Sequence, residues 1–173
     1  MTLTPTAPVA VSNLSELDRA ELDVVERYAA EDRYLSGDEV PWFPWVGALE
    51  LKMMRADNRS GTFVVGLRSS EDAQLGKHRH RGAVTAVTTK GKWHYFEYGW
   101  FAEPGDYVRE NPGTIHTLHL YPNTEIYFTI EGSIEFLNDD DTLNNTMDVW
   151  SFVYLYEKYC LDNGLELNSR IFY

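Results

Sequence analysis

Three histidines have the type and spacing expected of a metal site. His78 and His80 lie two residues apart, so on an extended strand both imidazoles point to the same face of the sheet. His116 comes later in the chain, after the turn signal Pro112-Gly113. A small barrel that brought the three rings together would present a face of neutral imidazoles, which suits iron, zinc, copper or nickel.

Two histidines separated by one residue are a weak motif by themselves, since a single strand histidine usually packs in the core or lies at the surface. The Pro-Gly turn and a third histidine at a distance that a barrel can close favour a metal site over chance. We therefore predict that His78, His80 and His116 bind one divalent metal.

The block Gly91–Trp100 supplies an acidic candidate and several aromatic ones. If alternation holds, Glu97 lies on the same strand face as its aromatic neighbours, where it could be a fourth metal ligand and catalytic proton acceptor, a partner that orients a histidine, or a charge at the rim. His94 and His119 have the opposite parity and are predicted to lie outside the metal site. The candidate walls of a substrate pocket are Trp93, Tyr95 and Trp100.

Short β-type segments between turns must position these residues. From Leu49 to Leu137 the pattern is that of strands, interrupted by turn signals such as Asp57–Gly61, Lys90-Gly91 and Pro104–Asp106. The spacing predicts an all-β fold, a double-sheet jelly-roll barrel. Residues 138–145 are predicted to form a polar, acidic loop.

Helices are predicted on both sides of the barrel. Residues 1–13 are assigned to a mobile arm, residues 14–46 to an N-terminal helix and linker, and residues 47–173 to the barrel with its C-terminal helix and tail. Asn13 or Ser15 could cap the first helix, which is predicted to reach Tyr34. The second runs from about Asp148 to Asn163 and ends before Gly164. Its predicted apolar face is Val149, Phe152, Val153, Tyr156 and Cys160. The predicted plug of one barrel end is Trp42, Phe43 and Trp45.

The stretch from about Trp45 to Gly164 resembles the cupin superfamily. The residues that match its two motifs are Gly76, His78, His80 and Gly91 for the first, and Gly105, Pro112, Gly113 and His116 for the second. The glutamate that usually follows the second histidine is absent, because Ala83, Val84 and Thr85 occupy those positions. This departure resembles the three-histidine iron site of diketone-cleaving cupins. Through the blocks HRHRG and GKWHYFEYGW the chain is similar to the 2,4'-dihydroxyacetophenone dioxygenase family.

The resemblance implies a non-haem Fe²⁺ dioxygenase that cleaves a C–C bond of an oxygen-chelating ketone with O₂. An aryl α-hydroxyketone or a diketone would be the substrate and carboxylic acids the products. His78, His80 and His116 would be the ligands, and Glu97 would bind the metal or take the substrate proton. Zn²⁺ or another divalent metal also suits such ligands. The alternatives are a cupin of another reaction class, such as an isomerase or thiol oxidase, and a non-catalytic metal-binding cupin that binds or senses a small molecule.

The amino-acid composition limits the classes of partner that the protein is expected to bind. The net charge of −12 and a pI near 4.7 argue against nucleic acid or an anionic membrane. Cys160 is the one cysteine, and no apolar run or basic leader suggests export, so a cytoplasmic location is expected. A helix and an apolar tail on either side of one barrel predict a homodimer or a higher homo-oligomer.

Overall fold

The computed structural model describes residues 13–173, which fall into two units divided between Tyr34 and Leu35. The predicted mobile arm lies outside the described residues except for Asn13. In the first unit, helix α1 spans Glu16–Tyr28 and ends well before the predicted Tyr34. Ser15 caps it, since its hydroxyl accepts the Asp18 N–H while the Asp18 carboxylate accepts the Ser15 N–H. No residue of α1 is buried.

The second unit consists of two antiparallel sheets and a covering helix, so the predicted jelly-roll barrel is confirmed. The six-stranded sheet has the order β1 (Phe43–Pro44), β2 (Glu50–Ala56), β3 (Thr62–Ser69), β9 (Thr124–Glu131), β5 (Val84–Lys90) and β7 (Tyr107–Glu110). The five-stranded sheet has the order β11 (Leu143–Asp148), β10 (Ser133–Leu137), β4 (Ala73–His80), β8 (Ile115–Leu120) and β6 (Trp93–Tyr95). No helix within residues 13–173 is long and apolar enough to cross a membrane.

The core lies between the sheets and under helix α2 (Val149–Asp162). Along β9, Ile126, Phe128 and Ile130 alternate inward, as a strand with one buried face requires. All five residues of the predicted apolar face of α2 are buried. The Phe152 ring lies 4.9 Å from that of Phe63, which fastens the helix to the six-stranded sheet.

The structure differs from the sequence prediction at three places in this unit. Residues 35–46, assigned to a linker, belong to the barrel unit, where Phe43 pairs with Leu51 and stacks on Tyr156. Trp42 does not plug the barrel, because its ring packs under the Arg68 guanidinium. The predicted polar loop contains the start of β11.

The C-terminal tail covers its own barrel, with a parallel bridge between Ala56 in β2 and Phe172.

Gly91 allows the tight turn between β5 and β6. Its φ is +74°, and a Cβ there would lie 2.5 Å from Thr124 Cα. We expect Gly91→Ala to lower the free energy of unfolding by about 1–3 kcal/mol, as measured by urea denaturation. Gly99→Ala is the matched control, since Gly99 has neither positive φ nor any atom within 4 Å of its added Cβ. Equal stability of the two variants would contradict the expectation.

Candidate metal centre

The three predicted histidines converge at one end of the barrel interior. His78 and His80 lie on β4, His116 lies on β8, and the β4–β8 register pairs His78 directly with His116. The three residues are buried, and one ring nitrogen from each lies within 4.8 Å of the others. The structure therefore brings together the three histidines that strand parity and the Pro-Gly turn predicted to converge.

The hydrogen bonds of these rings fit a metal site. His78 Nδ1 lies 2.7 Å from the Gly76 carbonyl oxygen, which can only accept, so Nδ1 carries the proton and Nε2 keeps its lone pair. His80 Nδ1 and both ring nitrogens of His116 are buried without a hydrogen-bond partner. Such an atom costs about 1–3 kcal/mol when nothing binds it. A divalent metal that prefers imidazole nitrogen would use lone pairs that are otherwise unpaired.

Burial keeps the rings in the form that binds metal. It lowers the pKa of His78 to about 4, although the Gly76 carbonyl acts in the opposite direction. Burial and the neighbouring imidazoles lower the pKa values of His80 and His116 to about 3. At neutral pH all three imidazoles are therefore neutral, as metal coordination requires.

Glu110 is the acidic residue nearest to the three rings, and it was not among the residues predicted from the sequence. It is 6% exposed, and its Oε2 lies 3.5 Å from His116 Nε2 and 3.6 Å from His80 Nε2. Its Oε1 accepts a hydrogen bond of 2.5 Å from the Tyr95 hydroxyl. Burial raises the pKa of Glu110 to about 7, against the lowering effect of that hydrogen bond. The signal for it was the alternation along β7, where Val108 and Glu110 face inward.

The assignment of Glu97 to the metal centre is corrected by the structure. Strand β6 ends at Tyr95, so the alternation that placed Glu97 on the inner face does not extend to it. Its side chain is exposed, and its Oε2 accepts the backbone N–H of Thr117 at 2.9 Å. Glu97 is not among the residues that converge on the three rings, and Glu110 occupies the position expected for the acid.

A cavity of about 430 Å³ opens at His116 and Glu110. Two of the predicted pocket residues, Tyr95 and Trp100, line it. Trp93 does not, because it is fully buried and its Nε1–H donates to Thr88 Oγ1 at 2.7 Å. Further lining residues are Tyr98, Tyr107, Arg109, Asn111 and Thr114.

His94 and His119 lie outside the cluster, as their parity predicted. They pair across β6 and β8 with His94 Nε2 3.2 Å from His119 Nδ1. His119 Nε2 lies 2.9 Å from the Asp72 carboxylate. Because neighbouring residues of a strand point to opposite faces, this group lies on the other side of the five-stranded sheet from Tyr95 and Leu118.

The two-sheet barrel with inward histidines on β4 and β8 agrees with the cupin resemblance of the sequence. Residues 30–135, more than half of the chain, match the family model of the ChrR cupin-like domain, and the chain belongs to this family. No curated protein sequence matches the chain significantly.

Solved structures with the same fold include an RmlC-like cupin from Ralstonia eutropha JMP134, with 24% identity and a TM-score of 0.76 over 81% of this chain and 94% of that one. A second cupin-like protein from the same organism has 22% identity and a TM-score of 0.71, over 82% and 93%. The acetylacetone dioxygenase of Acinetobacter johnsonii has 18% identity and a TM-score of 0.66, over 76% and 93%. The cupin resemblance is therefore confirmed, and at these identities the structural similarity establishes the fold.

The buried histidines predict that the metal-free protein loses stability on acidification. Below their ordinary pKa of 6.5, the unfolded chain takes up protons that the folded rings, with pKa values of about 3 to 4, do not. Glu110 has the opposite effect, since its contribution to stability is lost as the pH rises from 4.5 through about 7. The combined effect of the three histidines exceeds the opposite effect of the single Glu110 carboxyl group. The free energy of unfolding should therefore fall as the pH drops below 6.5.

Urea unfolding of the metal-free protein at about pH 7, 6 and 5 measures this dependence. His116→Asn removes one titrating ring and should give a shallower slope than the wild type. A stability that is constant or increases on acidification over this range would contradict the assigned pKa shifts.

Proposed function

We propose that this cupin is a metal-dependent dioxygenase that cleaves a C–C bond of an oxygen-chelating ketone. The observation that carries the proposal is the group of three buried, neutral imidazoles beside the buried Glu110 carboxyl group. One of the three, His116, lines an aromatic-walled cavity together with Glu110. The name of the acetylacetone dioxygenase with the same fold is consistent with this class of reaction.

His78, His80 and His116 would hold the metal, and Fe²⁺ is the ion that we propose. When bound, Fe²⁺ would supply a Lewis acid for the ketone oxygens and the redox chemistry that O₂ requires. Zn²⁺ or another divalent ion also suits these ring nitrogens, so the metal content of the purified protein is a direct test.

Glu110 would accept the proton that the substrate loses. Its Oε2 has no hydrogen-bond partner and faces the two rings, while its Oε1 is occupied by Tyr95. In the metal-free protein the pKa of Glu110 is about 7, which is within the range suited to general-base catalysis at neutral pH. A neighbouring divalent cation would favour its ionised form, which is the form that accepts a proton.

The cavity wall favours an aromatic substrate. Tyr98 and Trp100 stack with their ring centroids 5.7 Å apart and their planes 14° apart, and both line the cavity. Exposed rings in this arrangement can pack against an aryl group. The proposed reaction converts an aryl α-hydroxyketone and O₂ into an aromatic acid and formate, so both oxygen atoms enter the products and no external reductant is needed. A β-diketone is the second substrate class to test.

The test is metal analysis of anaerobically purified protein, followed by O₂ uptake with aryl α-hydroxyketones and β-diketones. We expect about one iron per chain and O₂ consumption with at least one of these ketones. Tight zinc binding without any O₂ uptake would replace the proposal by that of a non-catalytic cupin that binds a small molecule. Turnover without O₂ would indicate another reaction class. The homodimer is a separate proposal, tested by light scattering at micromolar concentration.

A further inference from the structure

Tyr95 contacts two members of the proposed centre at once. Its ring stacks on the His116 ring, with centroids 3.8 Å apart and planes 4° apart. Its hydroxyl donates to Glu110 Oε1 at 2.5 Å. Tyr95 is 1% exposed, so both contacts are made in the protein interior.

The His116 ring needs a support of this kind. A histidine that binds a metal is usually oriented by a hydrogen bond from its other ring nitrogen, and His78 has one to the Gly76 carbonyl. His116 has no hydrogen bond at either ring nitrogen. Its ring plane is therefore held by packing, and the parallel stack on Tyr95 has the shortest centroid distance of its ring contacts.

The hydroxyl of Tyr95 has a second effect. Because it engages Oε1 of Glu110, the other oxygen is directed toward His80 and His116. Tyr95 is itself fixed, since the rings of Trp93 and Trp100 pack on it at 5.5 and 5.8 Å. A residue that is locked by its neighbours can hold others in a defined geometry.

We propose that Tyr95 is a positioning residue that orients the His116 imidazole through its ring and the Glu110 carboxyl group through its hydroxyl. This inference rests on the proposed metal site and assigns Tyr95 a role other than that of a cavity wall. The two contacts use different parts of the side chain, so two substitutions separate them.

Tyr95→Leu removes both contacts, whereas Tyr95→Phe keeps the stack and loses the hydroxyl. With Co²⁺ as the probe, we expect Tyr95→Leu to bind about 10–100-fold more weakly and to shift the visible absorption bands of the bound ion. Tyr95→Phe should keep the affinity of the wild type. Its turnover of the ketone should fall about 10–100-fold through kcat, with KM unchanged.

Tyr156→Leu is the matched control for loss of a buried tyrosine. Tyr156 is fully buried, and its hydroxyl accepts the Asn168 N–H at a site formed by α2 and the tail. It should lose stability as Tyr95→Leu does, but its Co²⁺ affinity and absorption bands should remain those of the wild type. A change of the same size in both leucine variants would show a general effect of destabilisation and would overturn the positioning role.

A double-mutant cycle tests whether the hydroxyl acts through the carboxyl group. In a Glu110→Gln background, Tyr95→Phe should lower kcat little further, whereas independent effects would multiply and overturn this part of the inference.

Wild-type Co²⁺ affinity and absorption bands in Tyr95→Leu would overturn the role of the ring while leaving the proposed function intact. A wild-type protein that binds no Co²⁺ would overturn both. A wild type that binds Co²⁺ but turns over no ketone would overturn only the proposed function, and the spectra would still decide the role of the ring.

Discussion

His116→Ala should abolish metal binding and, with it, all O₂ consumption. The ring lies on the inner face of β8 opposite His78, and both of its nitrogens are buried without another partner. Its removal leaves two imidazoles, fewer than the three protein ligands that catalytic metal sites commonly have. We expect the metal affinity to fall by more than the roughly 10–100-fold that loss of a supporting residue causes.

His119→Ala is the control for this experiment. His119 lies on the same strand and is also buried, but its ring is on the other face of the sheet and pairs with Asp72 and His94. The variant should keep its metal and its turnover. Metal content measured by mass spectrometry and titration with a competing chelator give the two affinities. Full metal content in His116→Ala would contradict the assignment of the ligand set.

His116→Ala should still fold, so the loss of metal can be attributed to the site. The substitution removes packing against Tyr95, but it also removes two buried nitrogens that have no hydrogen bond in the metal-free protein. The two effects have opposite signs. Circular dichroism and urea unfolding of the metal-free variant check that the barrel is retained.

The convergence of the three histidines was predictable because it depends on local rules. Side chains two apart on a strand share a face, which places His78 and His80 together. The turn before His116 then starts β8, whose antiparallel register with β4 supplies the third ring. Neither step required knowledge of the exact length of any strand.

The prediction that Glu97 faces the three histidines differs from the structure because the position of Glu97 depends on where a strand ends. The residues around Glu97 are aromatic and suit a strand, yet hydrogen bonding of β6 stops at Tyr95 and the following residues turn outward. Glu110 was overlooked because β7 is short and lies at the sheet edge, where Tyr107 and Arg109 are exposed. The alternation of inward and outward residues along β7 can be read from the sequence, but the pairing of β7 with β5 cannot.

The misplacement of Trp93 has a related cause. Parity correctly put Trp93 and Tyr95 on the inner face of β6. It could not distinguish the end that lines the cavity from the end that fills the core, where the Trp93 indole donates to Thr88. That distinction depends on how the two sheets pack against each other, which cannot be predicted from the sequence of one strand.

Glu110→Gln should lower turnover by about 10²–10⁴-fold while the protein keeps its metal, as expected for loss of a general base. Glutamine has nearly the same shape, and its amide oxygen can still accept the Tyr95 hydroxyl. The variant therefore keeps the packing but cannot accept the substrate proton. Among the described residues only the three histidines are grouped closely enough to hold a metal, so iron should remain bound.

Glu97→Gln is the matched control, because it makes the same chemical change at an exposed carboxylate that accepts a backbone N–H. It should retain turnover close to that of the wild type. Iron content separates the two roles open to Glu110, since loss of a ligand would deplete the metal and loss of a base would not. Depleted iron in Glu110→Gln would make Glu110 a fourth ligand. If instead Glu97→Gln were inactive and Glu110→Gln fully active, Glu97 would have to be the proton acceptor. The segment after β6 would then have to move so that Glu97 reaches the cavity.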